Sequence, residues 1–133
     1  MRKVIATFTA ITALVLLTAA SSQSSKSSTS TSLKPAVVTM GDDMRFSPAK
    51  IVVHRGQMVA WQSLSKQIHN VVDVPEQSPR PGVMTLPKGA TTFDSGLMRY
   101  GQTYVQTFTV PGTYKYACSL HIANGMVGQI IVK

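Results

Sequence analysis

From Ala36 to Lys133 no stretch keeps the 3.6-residue apolar period of a helix, whereas short alternating or β-branched runs recur and are cut by turn residues. The candidate strands are Ala36–Met40, Lys50–His54, Gln57–Gln62, Ile68–Val74, Ala90–Asp94, Thr103–Val110, Thr113–Cys118 and Gly128–Lys133. Ser47-Pro48, Arg55-Gly56, Pro111-Gly112 and the stretch from Pro75 to Gly89 interrupt them. Ser78 to Gly89, with four prolines counting Pro75 just before it, reads as a surface loop rather than a strand. Many short strands with frequent turns predict an all-β sandwich or barrel.

A single cysteine, Cys118, excludes an internal disulfide, so the core alone must hold such a domain together. The composition allows it: 44% of residues are apolar and 14% charged, the balance of a compact domain rather than a disordered chain.

The N-terminus carries a different signal. Arg2 and Lys3 precede an apolar run from Val4 to Ala20, and the small residues Ala19-Ala20-Ser21-Ser22 follow. This is the pattern of a secretory signal peptide over residues 1–20, with an uncleaved anchor as the alternative. No cysteine lies near the cleavage site, which excludes a lipid-anchored lipoprotein. Residues 21–34, SSQSSKSSTSTSLK, have almost nothing to bury and read as a flexible linker. The folded domain is therefore expected over 35–133, exported to a bacterial periplasm, with a membrane tether as the minority reading.

The chemistry concentrates near the C-terminus, in Ala117-Cys118-Ser119-Leu120-His121-Ile122-Ala123-Asn124-Gly125-Met126. Alternation along Tyr114–Cys118 puts Tyr114, Tyr116 and Cys118 on one face and Lys115 and Ala117 on the other. Lys115 should face water, so Cys118 points inward at the end of its strand. A turn through Asn124-Gly125 would bring His121 and Met126 back beside it. Thiolate, imidazole and thioether are soft or borderline donors, a set that favours copper. A trigonal site needs one more imidazole, and His69 heads an earlier apolar strand on the same face as Val71. Singly, each residue has a bland reading as core or surface. The C-x2-H-x4-M spacing with an upstream histidine is hard to obtain by accident. His54 sits in a turn with no soft donor near it in sequence, and Met40, Met44, Met58, Met84 and Met98 read as core or surface.

On these residues the chain resembles the cupredoxins, small type 1 blue-copper proteins, and within them the plastocyanin and pseudoazurin group. The resemblance runs from about Met44 to Lys133, through "RFSPAKIVVHRGQMVAWQSLSKQIHNVV" and "DSGLMRYGQTYVQTFTVPGTYKYACSLHIANGMVGQIIV". It implies an eight-stranded Greek-key sandwich with copper at one end, bound equatorially by His69, Cys118 and His121 and axially by Met126. It further implies that Asn70 ties the two ligand loops together. Electrons would pass at the edge of His121 through an apolar patch including Leu97, Ile122 and Ala123. Plant plastocyanins have a tyrosine beside the ligand cysteine and acidic patches. Here that position is Ala117 and the chain is basic, which points to a bacterial-type relative.

The implied function is one-electron transfer between redox proteins, without substrate turnover. Copper carriage or storage is the alternative, disfavoured because three of the four donors converge on one buried loop. Multicopper enzymes need further histidine clusters, and this chain has three histidines. Thirteen Lys and Arg against five Asp and Glu give +8, of which Arg2 and Lys3 carry two, so the rest of the chain keeps +6. The charge is spread out, with Lys66, Arg80, Lys88, Arg99 and Lys115 on expected loops or water-facing strand positions. That distribution predicts a redox partner with an acidic docking face and speaks against nucleic acid. The protein is expected to act as a monomer with no small-molecule substrate.

Overall fold

A computed structural model describes residues 33–133. The expected signal peptide and most of the expected linker lie outside the described residues. Among the described residues nine strands form two sheets: β1 (Ala36–Met40), β2 (Phe46–Ser47), β3 (Lys50–Val53), β4 (Gln57–Ser63), β5 (Val72–Asp73), β6 (Phe93–Asp94), β7 (Thr103–Phe108), β8 (Gly112–Ala117) and β9 (Val127–Val132). One sheet has the order β2-β1-β4-β7 and the other β3-β9-β8-β5-β6. The chain crosses repeatedly between sheets, so neighbours in a sheet are mostly not neighbours in sequence; β1 lies parallel to β4, and β3 parallel to β9. This is the cupredoxin-like Greek-key sandwich.

The alternation that predicts the strands also builds the core. Val38 and Met40 of β1, Val59 and Trp61 of β4, Tyr114 and Tyr116 of β8, and Ile130 and Val132 of β9 all point between the sheets and are buried. Trp61 sits at the centre, with Tyr116 5.4 Å, Tyr104 5.7 Å and Phe93 6.0 Å away between ring centroids. Burying aromatic side chains of this size is the main favourable term available to a chain without a disulfide.

Three expectations need correction. The predicted strand Ile68–Val74 is a strand only at Val72–Asp73. Before it, His69 makes an isolated bridge to Met98, and the Val71 amide donates to Ser95 Oγ rather than to a neighbouring strand. Ala90–Asp94 shrinks to Phe93–Asp94, because the Ala90 amide is taken by Pro87 O in a turn. Ala117 does not face water: Val72, Met84 and Ile122 cover it, and it is fully buried. The cover comes from the proline-rich stretch, where Thr85 bridges to Lys115 and carries Met84 onto the sheet. β2 has only two residues, too short for periodicity to reveal.

Candidate metal centre

Two separate segments bring the donors to one end of the sandwich. The first leads into β5. Its backbone is pinned at His69, whose amide donates to Met98 O (3.1 Å) while its carbonyl accepts from the Met98 amide (2.7 Å). Upstream, the Asp42 carboxylate accepts from Ser65 Oγ (2.7 Å) and the Lys66 amide (2.8 Å), and Ser65 Oγ accepts from the Gln67 amide (2.9 Å). The second segment joins β8 to β9. The Cys118 amide donates to Met126 O (3.0 Å), and the His121 amide to Cys118 O (3.1 Å). A short 3-10 turn, Ile122–Asn124, follows His121 and ends at Gly125, whose φ of 80° suits glycine. This turn delivers Met126 into the core, fully buried in the same cluster as Cys118.

The outcome is a cluster of three donor atoms. His69 Nδ1 lies 3.1 Å from His121 Nδ1, Cys118 Sγ lies 3.5 Å from His121 Nδ1, and Cys118 Sγ lies 3.9 Å from His69 Nδ1. The triangle is acute, so the point equidistant from its corners falls inside it, about 2 Å from each by plane geometry. Metal–imidazole bonds are about 2.0–2.1 Å and metal–thiolate bonds about 2.3 Å. The residues therefore fit a trigonally held ion. Electrostatics agree. Burial first, and then the neighbouring His121, hold His69 below the ordinary imidazole range, so it is neutral with a lone pair to give. Two imidazole nitrogens facing at 3.1 Å need either a shared proton or a cation.

The four residues singled out from the sequence are thus gathered here: His69, Cys118 and Met126 fully buried, His121 half-buried. His54 is exposed at its turn, away from this end. Met40, Met84 and Met98 are core residues. Asn70 binds Ser119, its Nδ2 donating to Ser119 Oγ and its Oδ1 accepting from the Ser119 amide. The sequence reading missed Ser119 as the other half of that tie, and Asp42 as the anchor of the segment leading to His69. It also passed over Asp73, although a carboxylate inside Val71-Val72-Asp73-Val74 is a visible break in an apolar run.

A β-sandwich with a buried His–Cys–His cluster and a methionine at one end defines a cupredoxin. Residues 34–133 match the copper binding proteins of the plastocyanin/azurin family, and the chain belongs to that family. It is 32% identical over 105 residues to a chloroplastic plastocyanin of Tetradesmus obliquus, covering 77% of this chain and 70% of that protein. It is 33% identical over 94 residues to a plastocyanin of Sambucus nigra, covering 69% and 93%. Among solved structures, a reduced Cu(I) form at pH 4 of an amicyanin mutant is similar, with 29% identity over 74% of this chain and 82% of that one and a TM-score of 0.59. The chain is accordingly a copper protein of the cupredoxin electron-carrier kind, and His69, Cys118, His121 and Met126 form a ligand set of the type 1 copper kind.

Proposed function

We propose that this protein is an exported, periplasmic shuttle for single electrons, in which His69, Cys118 and His121, with Met126 as the weak fourth donor, would hold one copper ion. The observation that carries the assignment is the triangle of donor atoms, with sides of 3.1, 3.5 and 3.9 Å. Copper would supply a couple between Cu(I) and Cu(II), with the thiolate and two imidazoles as its strong donors and the thioether as a weak donor that tunes the potential. The chain holds the donors still. Cys118 is buried at a strand end, His69 is pinned through Met98, and the Asn70–Ser119 tie locks one donor segment to the other. A rigid donor set changes little when the charge on the ion changes, which is what rapid electron exchange requires.

His121 is the half-buried donor and the point of electron exchange. Leu120, 50% exposed, and Ala123 flank it in sequence, and Leu97, 63% exposed, precedes the Met98 that bridges to His69. These residues form the apolar contact for a redox partner, and the chain's net positive charge selects a partner with an acidic docking face. Residues 1–20 act as the export signal and 21–34 as a linker. The protein works as a monomer and turns over no substrate.

The test is the visible absorption spectrum of the copper-loaded protein. Intense blue absorption is expected, and Cys118→Ser should abolish it while copper still binds, since only a thiolate gives strong charge transfer to Cu(II). A pale copper protein would favour copper carriage, and a blue Cys118→Ser protein would overturn the ligand assignment.

A further inference from the structure

Lys50, Gln129 and Lys115 stand side by side on β3, β9 and β8, with Gln129 opposite both lysines. Strand alternation sends all three to the outer face of the five-stranded sheet, since Tyr114, Tyr116 and Ile130 take the inner one. Beside this row, Thr85 and Lys115 exchange two backbone hydrogen bonds of 3.0 and 2.9 Å, which holds the loop bearing Arg80 and Val83 against the sheet. Loop and sheet enclose an open cleft of about 540 Å³. Among the described residues its charged groups are Lys50, Arg80 and Lys115, and no carboxylate lines it. Its apolar surface comes from Val83, Ile122 and Val127, and Ile122 belongs to the segment between Cys118 and Met126.

We propose that this cleft receives a protruding acidic segment of the redox partner, with carboxylates on Lys50, Arg80 and Lys115 and an apolar side chain between them on Val83 and Val127. The inference deepens the electron-carrier reading and rests on it. Three cations without a lining carboxylate repel one another and gain from any anion that enters. The apolar floor gives an entering side chain a desolvated seat, the arrangement in which a few residues dominate binding. The size also selects. A concavity of this volume is on the scale that holds a drug-sized ligand, room for a few side chains, whereas a lipid plane or a duplex backbone meets convex or flat basic surfaces. The cleft reaches the foot of the donor loop, so a partner anchored here is already beside the exchange point.

The experiment uses the full-length, copper-loaded protein, reduced to diamagnetic Cu(I) and labelled with 15N. The probe is the blocked peptide Asp-Glu-Phe-Glu-Asp, with Asn-Gln-Phe-Gln-Asn as its neutral counterpart. Saturable amide shifts are expected at Lys50, Val83, Lys115 and Gln129 with the acidic peptide alone. They should weaken about tenfold in Lys50→Ala/Lys115→Ala, a loss of about 1.4 kcal/mol, and stay within twofold in Lys88→Ala, whose lysine is exposed outside the cleft. Shifts of equal size with the neutral peptide, shifts confined to the His121 end, or an equal loss in Lys88→Ala would overturn the proposal. Because peptide binding involves no electron transfer, its failure leaves the carrier reading standing; a protein that never turns blue would sink that reading without touching this measurement.

Discussion

Asn70 and Ser119, 49 positions apart, hold each other by two hydrogen bonds: Asn70 Nδ2 donates to Ser119 Oγ at 2.7 Å, and the Ser119 amide donates to Asn70 Oδ1 at 2.8 Å. They flank His69 and Cys118 directly, so this one pair fixes the distance between the two donor segments. Asn70→Ala removes both bonds and leaves the Ser119 amide without its acceptor. It is expected to cost about 1–3 kcal/mol of stability, seen as a lower denaturant midpoint with an unchanged slope. Ser119→Ala removes only the hydroxyl bond and should cost less. Equal losses in the two variants would contradict the assignment.

Met126 is fully buried, and its carbonyl accepts from the Cys118 amide, so its backbone position does not depend on its side chain. Met126→Leu should therefore keep the fold and the blue colour. It should raise the reduction potential, because an axial donor that stabilises Cu(II) is lost. Voltammetry of the two proteins measures this directly, and a lowered potential would refute the axial role.

The donor residues were legible in the sequence because the chemistry is local: Cys118, His121 and Met126 occupy one short segment, and strand alternation alone turns Cys118 inward. The six strands longer than two residues, β1, β3, β4, β7, β8 and β9, were legible for the same reason. What periodicity could not show is where a strand's partner ends. The Ile68–Val74 run has strand composition throughout, yet only Val72 and Asp73 find ladder partners, because the backbone before them bonds to Met98 and Ser95. Ala117 looked solvent-facing because its cover, Met84, comes from a distant proline-rich stretch whose path no local signal specifies. Ser119 was invisible as a tether because its partner is 49 positions away.

Gly128 is set by a close approach. A Cβ there would stand 2.6 Å from Tyr116 Cε2 and nearer still to its Cζ and hydroxyl. Tyr116 cannot retreat: it is fully buried, with Phe46 4.7 Å away on one side and Trp61 5.4 Å away on another. Gly128→Ala is expected to destabilise the protein by about 3 kcal/mol or more. It should also perturb the copper absorption, since Tyr116 lies two residues before Cys118 on the same strand face. A thermal unfolding midpoint within about 2 °C of the parent would contradict this packing account.

Asp73 is fully buried, and neither of its carboxylate oxygens has a hydrogen-bond partner among the described residues. Burial alone raises its pKa from 3.8 to about 7. Tyr114 is raised too, chiefly by its own burial and then by the charge on Asp73. The sign follows from proton binding. Below about pH 4 the carboxyl is protonated in both folded and unfolded chains and costs nothing through this route. Between pH 4 and 7 the unfolded chain releases the proton and the folded one keeps it, so stability falls as pH rises, by about 1.4 kcal/mol per unit at the steepest. Above pH 7 the loss levels off at about 4 kcal/mol. Asp73→Asn removes the titration. The variant should exceed the parent in stability at pH 8, with the gap narrowing steadily and closing near pH 4. Denaturant unfolding of both proteins across that range reads the difference, in which every other titrating group cancels. A gap that is constant with pH, or a parent more stable than the variant at pH 8, would show that Asp73 is not the buried, unpartnered acid described here.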